Sequence, residues 1–438
     1  MLLIASIIFY AWGEPRYLAI MIITILVNYA GAILLDKHYS SRQRLWIVSL
    51  TIVLDLSFLF YFKYFNFVVD NINGVLATDF QLLDIIMPIG ISFYTFQAMS
   101  YLIDVYRREV PAQKDVYKLA LYIVLFPQLV AGPIVKYHDV CEQIDNRTIE
   151  FKNVIIGFKR FITGLAKKVL IANTLAEVVD KIFAQAPENL TTGVSWLGAV
   201  SYCLQLYYDF SGYSDMAIGL GLMFGFRFLE NFNYPYISKS ITEFWRRWHI
   251  SLATWFKLYL YIPLGGNRKG AVRTYWNLFA VFLVTGIWHG AAWSYVAWGI
   301  WNGIFIVIER FFGLDKDKND RWYVSAAKHV YAFFAIVWGM IIFRAESLSY
   351  AYEYICRMLH IDVTKHLPDY DYGVNNKFAI MLIVGLICAM PVCRNLIYIK
   401  YEHKVQRTLV NIWLFLLFFW STISLAASTY NPFIYFRF

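Results

Sequence analysis

The chain has 438 residues, of which 59% are hydrophobic, 19% are aromatic and only 16% are charged. Since a soluble domain usually has about 25% charged residues, this composition excludes an ordinary soluble protein, and the aromatic content excludes a disordered one. The net charge of +9 comes from Lys and Arg in short loops between apolar runs, which indicates membrane topology and no nucleic-acid binding.

We therefore predict an all-α polytopic membrane protein with a single integral-membrane domain over residues 1–438. A helix needs roughly 20 residues to cross a bilayer, and shorter apolar runs are expected to be half-membrane or re-entrant helices shielded by protein. We expect about 10–12 such helices. The apolar runs are 17–35, 45–62, 85–103, 117–135, 154–172, 195–208, 216–228, 276–288, 291–308, 330–343, 378–392 and 410–427.

Loop charges predict the topology. Loops 36–44, 104–116 and 394–407 carry several Lys and Arg residues, whereas 66–84 has none and carries three Asp residues. Because positive loops remain inside, the first three loops are predicted to be cytoplasmic and 66–84 to be outside.

Three segments do not fit a simple span. Residues 154–172 carry four Lys or Arg residues, so this run is either a span or an amphipathic helix on the inner surface. Residues 1–12 are too short to cross, and we expect an N-terminal helix to be missing before them. The polar stretch 345–377 is predicted to be a loop.

The sequence YYDFSGYSD at 207–215 places Asp209, Ser211 and Asp215 in an otherwise apolar stretch. Polar side chains inside a membrane bundle are costly, so these residues are candidates for function. One interpretation is a helix break at which Asp caps the following helix. The other is the polar wall of a substrate-binding cavity or tunnel.

The sequence FWRRWHISL at 244–252 combines aromatic, basic and imidazole side chains. On one helix Trp245, His249 and Leu252 would share a face, and Arg246 would leave by another. An interfacial aromatic and basic anchor explains the Trp and Arg residues well and the histidine less well.

The sequence GGNRKG at 265–270 offers glycine-rich backbone beside Arg268 and Lys269, which could hold a phosphate. Its spacing does not match a P-loop. A plain cytoplasmic turn that follows the positive-inside rule is the simpler interpretation.

The sequence TGIWHGAAW at 285–293 places Trp288 and His289 between Gly286 and Gly290. Small residues four apart let helix backbones approach closely, or let a long substrate pass beside the imidazole. An isolated histidine in a membrane is usually a packing residue, but the flanking glycines favour a catalyst here.

Other chemistries have little support in the sequence. The five cysteines form no metal-binding or disulfide pattern, and no close histidine pair indicates zinc or any other metal. No nucleophile elbow and no dinucleotide-binding motif occur. A lone general base is the simplest enzyme that this sequence can build.

Taken in order, eight stretches resemble the membrane-bound O-acyltransferase (MBOAT) family, especially its alginate and cell-wall polysaccharide O-acetylation members. These short stretches are spread along almost the whole chain. They are FYAWG at 9–13, PIGISFYTFQ at 88–97, FPQLVAGPI at 126–134, the segments 209–215 and 245–252, YIPLGGN at 261–267, WHG at 288–290, and NPFIYF at 431–436.

The resemblance implies that the helices surround a central tunnel, that His289 is the catalytic histidine and that His249 is the second histidine of the family. It also implies an acyltransferase with no bound cofactor, which takes acetyl groups from acetyl-CoA in the cytoplasm. The family's acceptor is an extracytoplasmic SGNH or esterase-like partner that then acetylates a surface polysaccharide. Arg246, Arg247, Arg268 and Lys269 become candidates for contacts with the phosphates of coenzyme A.

The expected location is the bacterial cytoplasmic membrane, with many passes through it. Two alternatives stay open at this point. One is D-alanyl transfer from a carrier-protein thioester toward teichoic acid. The other is a proton-coupled transporter or flippase, although the sequence lacks the internal repeat typical of that class.

Overall fold

The computed structural model describes residues 1–37, 40–315, 320–360, 370–393 and 404–428, and these contain no β-strand. The helices are α1 (Leu2–Gly13), α2 (Leu18–Asp36), α3 (Ser41–Leu59), α4 (Phe65–Leu76), α5 (Ile91–Arg107), α6 (Val116–Val124), α7 (Phe126–Leu129), α8 (Tyr137–Asn146), α9 (Phe151–Ala166), α10 (Asn173–Phe183), α11 (Thr192–Met223), α12 (Ile241–Arg247), α13 (Ile250–Phe256), α14 (Ala271–His289), α15 (Trp293–Phe312), α16 (Trp322–Arg344), α17 (Leu348–Leu359), α18 (Asn376–Cys388) and α19 (Lys404–Ala427).

Four helices in the described part of the chain are long and apolar enough to cross a bilayer. They are Pro15–Asp36, Ser41–Leu76, Trp322–Arg344 and Val405–Ala427. Many large apolar side chains on these helices are exposed, as expected where lipid covers them. The prediction of an all-α, multi-pass membrane protein is confirmed, and the tunnel stays a prediction.

The chain forms two compact units. The first comprises Met1–Gly157 and Leu220–Leu229, and the second comprises Phe158–Gly219 and Glu230–Phe438. Every candidate site residue named from the sequence lies in the second unit.

Polar side chains join the helices of the first unit. Asn28 Nδ2 on α2 donates to Asp55 Oδ1 on α3 at 2.9 Å, and both residues are buried. Arg44 on α3 donates to the carbonyl of Tyr106 at 2.8 Å, which satisfies a backbone acceptor at the carboxyl end of α5. These two contacts thus pair buried polar groups across helices, which lowers the cost of placing them in a low-dielectric interior.

The polar stretch 345–377 was wrongly predicted to be a loop, because α17 occupies Leu348–Leu359. Its N-terminus is capped by Ser347, which accepts from the backbone N–H of Tyr350 at 3.1 Å. The ring of Tyr354 stacks on Phe183 of α10 with centroids 4.7 Å apart. This packing accounts for a helix that hydropathy alone does not reveal.

The predicted outer loop 66–84 is also helical over its first part. Helix α4 (Phe65–Leu76) continues α3 through a π-helical turn at Phe60–Tyr64. The segment after α4 has no regular secondary structure, and Asn73 holds it by donating to the carbonyl of Phe80 at 2.8 Å. The predicted loop is therefore partly a helix, and a side-chain hydrogen bond holds the segment that follows this helix.

Two boundaries between predicted apolar runs differ from the structure. The runs 195–208 and 216–228 belong largely to one helix, α11, which continues unbroken through the polar segment between them. The run 117–135 instead breaks after Val124, where Pro127 cannot donate to a carbonyl one turn earlier. The predicted inner loop 394–407 lies mostly outside the described residues, and NPFIYF at 431–436 lies wholly outside them.

Candidate functional site

His249 is not in the middle of a helix. Helix α12 ends at Arg247 and α13 begins at Ile250, and His249 between them has a left-handed backbone with φ 45° and ψ 53°. The prediction that Trp245, His249 and Leu252 share one helical face is therefore wrong. A left-handed backbone is unusual for a residue with a side chain, and such conformations cluster at functional sites.

A neighbouring loop fixes this unusual backbone. The N–H of Ile250 donates to the carbonyl of Asn231 at 3.0 Å, and the N–H of Asn233 donates to the carbonyl of Arg247 at 2.8 Å. These two hydrogen bonds clamp the residues on either side of His249. The loop thus holds the imidazole in one position before any substrate binds.

The imidazole of His249 is almost completely buried, with 1% of the residue exposed. Its Nδ1 lies 3.2 Å from Asn231 Oδ1, and the edge of its ring meets Phe210 with centroids 4.6 Å apart. Phe210 lies in the polar segment of α11, so this contact joins the candidate segments 207–215 and 244–252.

The polar segment of α11 is held by cations from α9 and the turn after it. Lys168 Nζ lies 2.5 Å from Asp209 Oδ1, and Lys167 Nζ lies 2.6 Å from Asp215 Oδ2. Arg160 also pairs with Asp215, at 2.8 Å. Interpretation of this segment as a helix break with a capping Asp is therefore wrong, since both carboxylates lie within the helix and form ion pairs.

Close packing of α9 and α11 lets the lysines reach these carboxylates. A side chain at Gly164 would collide with the backbone of Gly212, and one at Gly212 would collide with Gly164. The π-helical turn Lys167–Ala172 follows at once, and such turns are frequent at functional sites. Ser211 is buried beside this contact.

His289 is the last residue of α14 and is 4% exposed. Three aromatic rings meet its imidazole edge to face: Trp288 at 4.9 Å, Trp298 at 5.0 Å and Phe343 at 5.1 Å between centroids. These rings come from α14, α15 and α16, so the imidazole lies where three helices converge in an apolar environment.

The glycines beside His289 serve helix packing. A side chain at Gly286 would meet the carbonyl of Tyr295 at 2.4 Å and Gly299 Cα at 2.9 Å. A side chain at Gly290 would overlap the ring of Tyr295. Of the two interpretations of these small residues, close approach of helix backbones is the one that the contacts support.

Trp245 connects the candidate segment 244–252 to the candidate segment 285–293. Its indole N–H donates to Asn302 Oδ1 at 3.0 Å, and its ring meets Trp298 with centroids 5.4 Å apart. Because Trp298 also touches His289, aromatic contacts run from α12 to the imidazole of α14. Sequence reasoning named Trp245 and Trp288 but missed Trp298, Phe343 and Asn231, because no local pattern marks them.

Of the four candidate phosphate contacts, Arg247 pairs with Glu243 at 2.8 Å. The other three are exposed. Arg246 lies on α12, and Arg268 and Lys269 lie in the glycine-rich turn. Asn277 fixes that turn by donating to the carbonyl of Gly266 at 2.8 Å. A fixed turn with two exposed cations fits either a phosphate contact or a topological signal, so the role of these residues stays a prediction.

Comparison with known proteins yields one family and several close relatives. The profile of the membrane-bound O-acyltransferase family, MBOAT, matches residues 110–349. A probable alginate O-acetylase of Pseudomonas putida is 42% identical, over 100% of this chain and 94% of that protein. The probable alginate O-acetylase of Pseudomonas aeruginosa is 48% identical over 81% and 68%, respectively. A peptidoglycan O-acetyltransferase of Helicobacter pylori is 33% identical over 92% and 82%.

Proposed function

Because the chain belongs to the membrane-bound O-acyltransferase family and is an O-acyltransferase, we propose that it carries acetyl groups across the membrane toward a surface polysaccharide. The proposed donor is acetyl-CoA on the cytoplasmic side. The proposed acceptor is a hydroxyl group on the outer side. The names of relatives that act on alginate and peptidoglycan support polysaccharide as the final target.

The physical problem is the hydrocarbon core, which is about 30 Å thick. Coenzyme A carries several phosphate charges, and burying such charges without partners is very costly. In the proposed path the pantetheine arm enters from the cytoplasm and the acceptor hydroxyl from outside, so only the small acetyl group crosses. The tunnel that joins the two entrances is part of this proposal.

His289 is the proposed general base. As the hydroxyl oxygen attacks the thioester carbonyl, its proton moves to the neutral imidazole, and the C–O bond forms. The C–S bond then breaks, and the proton passes to the departing sulfur, which leaves as the free thiol of coenzyme A. This transfer is balanced in atoms and electrons without a metal or a redox partner.

The single observation that carries the proposal is the position of His289, a buried imidazole at the end of α14 among three aromatic rings. An apolar, water-poor site favours transfer to a bound hydroxyl over hydrolysis by water.

The proposed acceptor is an extracytoplasmic protein of the SGNH or esterase-like class, which passes the acetyl group to the polymer. In this proposal the protein alone does not acetylate polymer. Robust acetylation of a purified polysaccharide by the purified chain, with acetyl-CoA as the sole other reactant, would contradict this part of the proposal.

The experiment that tests the function compares cell envelopes with and without the gene by mass spectrometry, after growth with isotopically labelled acetate. Loss of labelled, alkali-labile O-acetyl esters on deletion, and their return on complementation, supports the proposal. Loss of D-alanyl esters instead would assign the carrier-protein reaction. An unchanged envelope accompanied by loss of a transport activity would assign the transporter class.

A further inference from the structure

The carboxamide of Asn231 determines which nitrogen of His249 carries the proton. The backbone N–H of Ser251 can only donate, and it lies 3.2 Å from the amide atom assigned as Asn231 Oδ1. The hydroxyl of Ser251 lies 2.9 Å from the same atom. The atom on this side of the amide is therefore the oxygen and not the nitrogen.

An amide oxygen can only accept hydrogen bonds. His249 Nδ1 lies 3.2 Å from this oxygen, so Nδ1 must be the protonated nitrogen of the neutral ring. The lone pair is then on Nε2, on the far side of the ring. The hydrogen bond from the N–H of Ile250 to the carbonyl of Asn231 holds the two backbone segments together beside the ring.

We propose that Asn231 is a positioning residue, which holds His249 in the Nδ1–H tautomer so that Nε2 acts as a hydrogen-bond acceptor. In acyl transfer a second histidine can either donate to the thioester carbonyl oxygen or accept from a substrate donor group. The tautomer selects the second role. The substrate groups that can donate are the amide N–H groups of the pantetheine arm and the attacking hydroxyl. The catalytic role rests on the proposed function, whereas the tautomer does not.

Several charged side chains on the surrounding elements have partners of opposite charge. On α11 the two carboxylates face lysines and an arginine, on the neighbouring loop Glu230 faces Arg160, and on α12 Arg247 faces Glu243. Phe210 and Ser251, which contact the ring directly, do not titrate near neutral pH. The amide oxygen of Asn231 accepts from Nδ1 and so favours the Nδ1–H form of the neutral ring.

The first test reads the tautomer directly by solid-state NMR of the full chain in liposomes, with ¹⁵N-labelled histidine. Subtraction of the His249→Gln spectrum assigns the signals, since protonated and unprotonated ring nitrogens have well-separated shifts. The expected result is an Nδ1–H ring that becomes a mixture of tautomers in Asn231→Leu. The matched control is Ser251→Ala, which removes one donor to the same oxygen and leaves the tautomer unchanged.

An Nε2–H ring in the unaltered protein, or a tautomer unaffected by Asn231→Leu, would overturn the proposal. This readout needs no catalytic turnover, so it stands even where the proposed acetyl transfer fails. If the unaltered protein transferred no acetyl groups from acetyl-CoA, in contrast, the proposed function would be overturned and the tautomer result would stay intact.

The second test measures transfer of labelled acetyl groups from acetyl-CoA in native membranes that contain each variant. We expect Asn231→Leu to lower kcat/KM about 10–100-fold, as when the hydrogen-bond partner of a functional histidine is removed at metal sites. A change confined to KM for acetyl-CoA assigns the donor group to pantetheine. A change in kcat assigns it to the attacking hydroxyl.

Asn231→Asp separates positioning from a merely structural role. Its carboxylate also only accepts hydrogen bonds, so the tautomer is kept, but its charge favours the imidazolium. The neutral form then persists only at higher pH. We expect kcat to approach that of the unaltered protein at alkaline pH, with the acidic limb of the pH–rate profile moved to higher pH. A uniform loss at every pH would contradict the proposed role.

Discussion

The ring of Phe210 lies edge-on to the imidazole of His249, with centroids 4.6 Å apart and planes at 89°. Through this contact the polar segment of α11 supports the histidine that lies between α12 and α13. The ion pairs of Asp209 and Asp215 hold α11 in place on either side of Phe210. The polar residues of α11 are therefore part of the support of the site, whatever else they do.

Removal of the charge at Asp215 should destabilise the protein. The Asp215→Asn variant leaves Lys167 without its partner and weakens the hold on Arg160 in a buried environment. Removal of one partner of a buried ion pair costs about 3–5 kcal/mol. We expect a clearly lower unfolding temperature of the purified protein in detergent.

Glu230→Gln is the matched control for that variant. Glu230 also pairs with Arg160, but its side chain is 58% exposed. Exposed ion pairs contribute at most about 1 kcal/mol, so its unfolding temperature should hardly change. Equal effects of the two substitutions would show that burial of the Asp215 network is not what stabilises α11.

A methyl group at Gly286 should disturb the helix pair that carries His289. The Gly286→Ala side chain has no room against Gly299 and Tyr295, and overpacking of this kind costs about 1–3 kcal/mol. We expect lower stability together with reduced acetyl transfer. Gly74→Ala on α4 is the control, because nothing lies within 4 Å of its added carbon. Full activity of Gly286→Ala would disconnect this packing from the site.

Charge reversal at Arg268 and Lys269 distinguishes phosphate binding from topology. Both side chains are exposed in a turn that Asn277 fixes by a hydrogen bond to the carbonyl of Gly266. If they contact the phosphates of coenzyme A, Arg268→Glu with Lys269→Glu raises KM for acetyl-CoA at unchanged protein level. The measurement is a donor titration in membranes, with protease accessibility to report insertion. Altered insertion with unchanged KM would assign these residues to topology alone.

Much of the architecture could be predicted from the sequence, because hydropathy and loop charge are local properties. Spans such as α2 and α16 follow from apolar runs alone. Helix α17 could not be found in this way, because its ring stacking on Phe183 joins residues far apart in the chain. The unbroken course of α11 through Asp209 likewise depends on a lysine of another segment, which no local rule identifies.

The histidines themselves could be named from their motifs, but their surroundings could not. Helical spacing predicted that Trp245 and His249 share a face. The left-handed backbone at His249 interrupts the helix, so the two residues do not share one. That backbone depends on hydrogen bonds from the loop at Asn231, which the sequence does not mark as part of the site. The position of a side chain in space thus depends on tertiary contacts, which a local motif does not reveal.

The most direct test of the account is His289→Ala, assayed in membranes from cells whose own copy has been deleted. With labelled acetyl-CoA as donor, transfer to alkali-labile esters should fall about 10²–10⁴-fold, the usual contribution of a general base, while the amount of inserted protein stays normal. His329→Ala, an exposed histidine on α16, is the control and should transfer at the full rate. Retention of most of the transfer rate by His289→Ala would contradict the central claim.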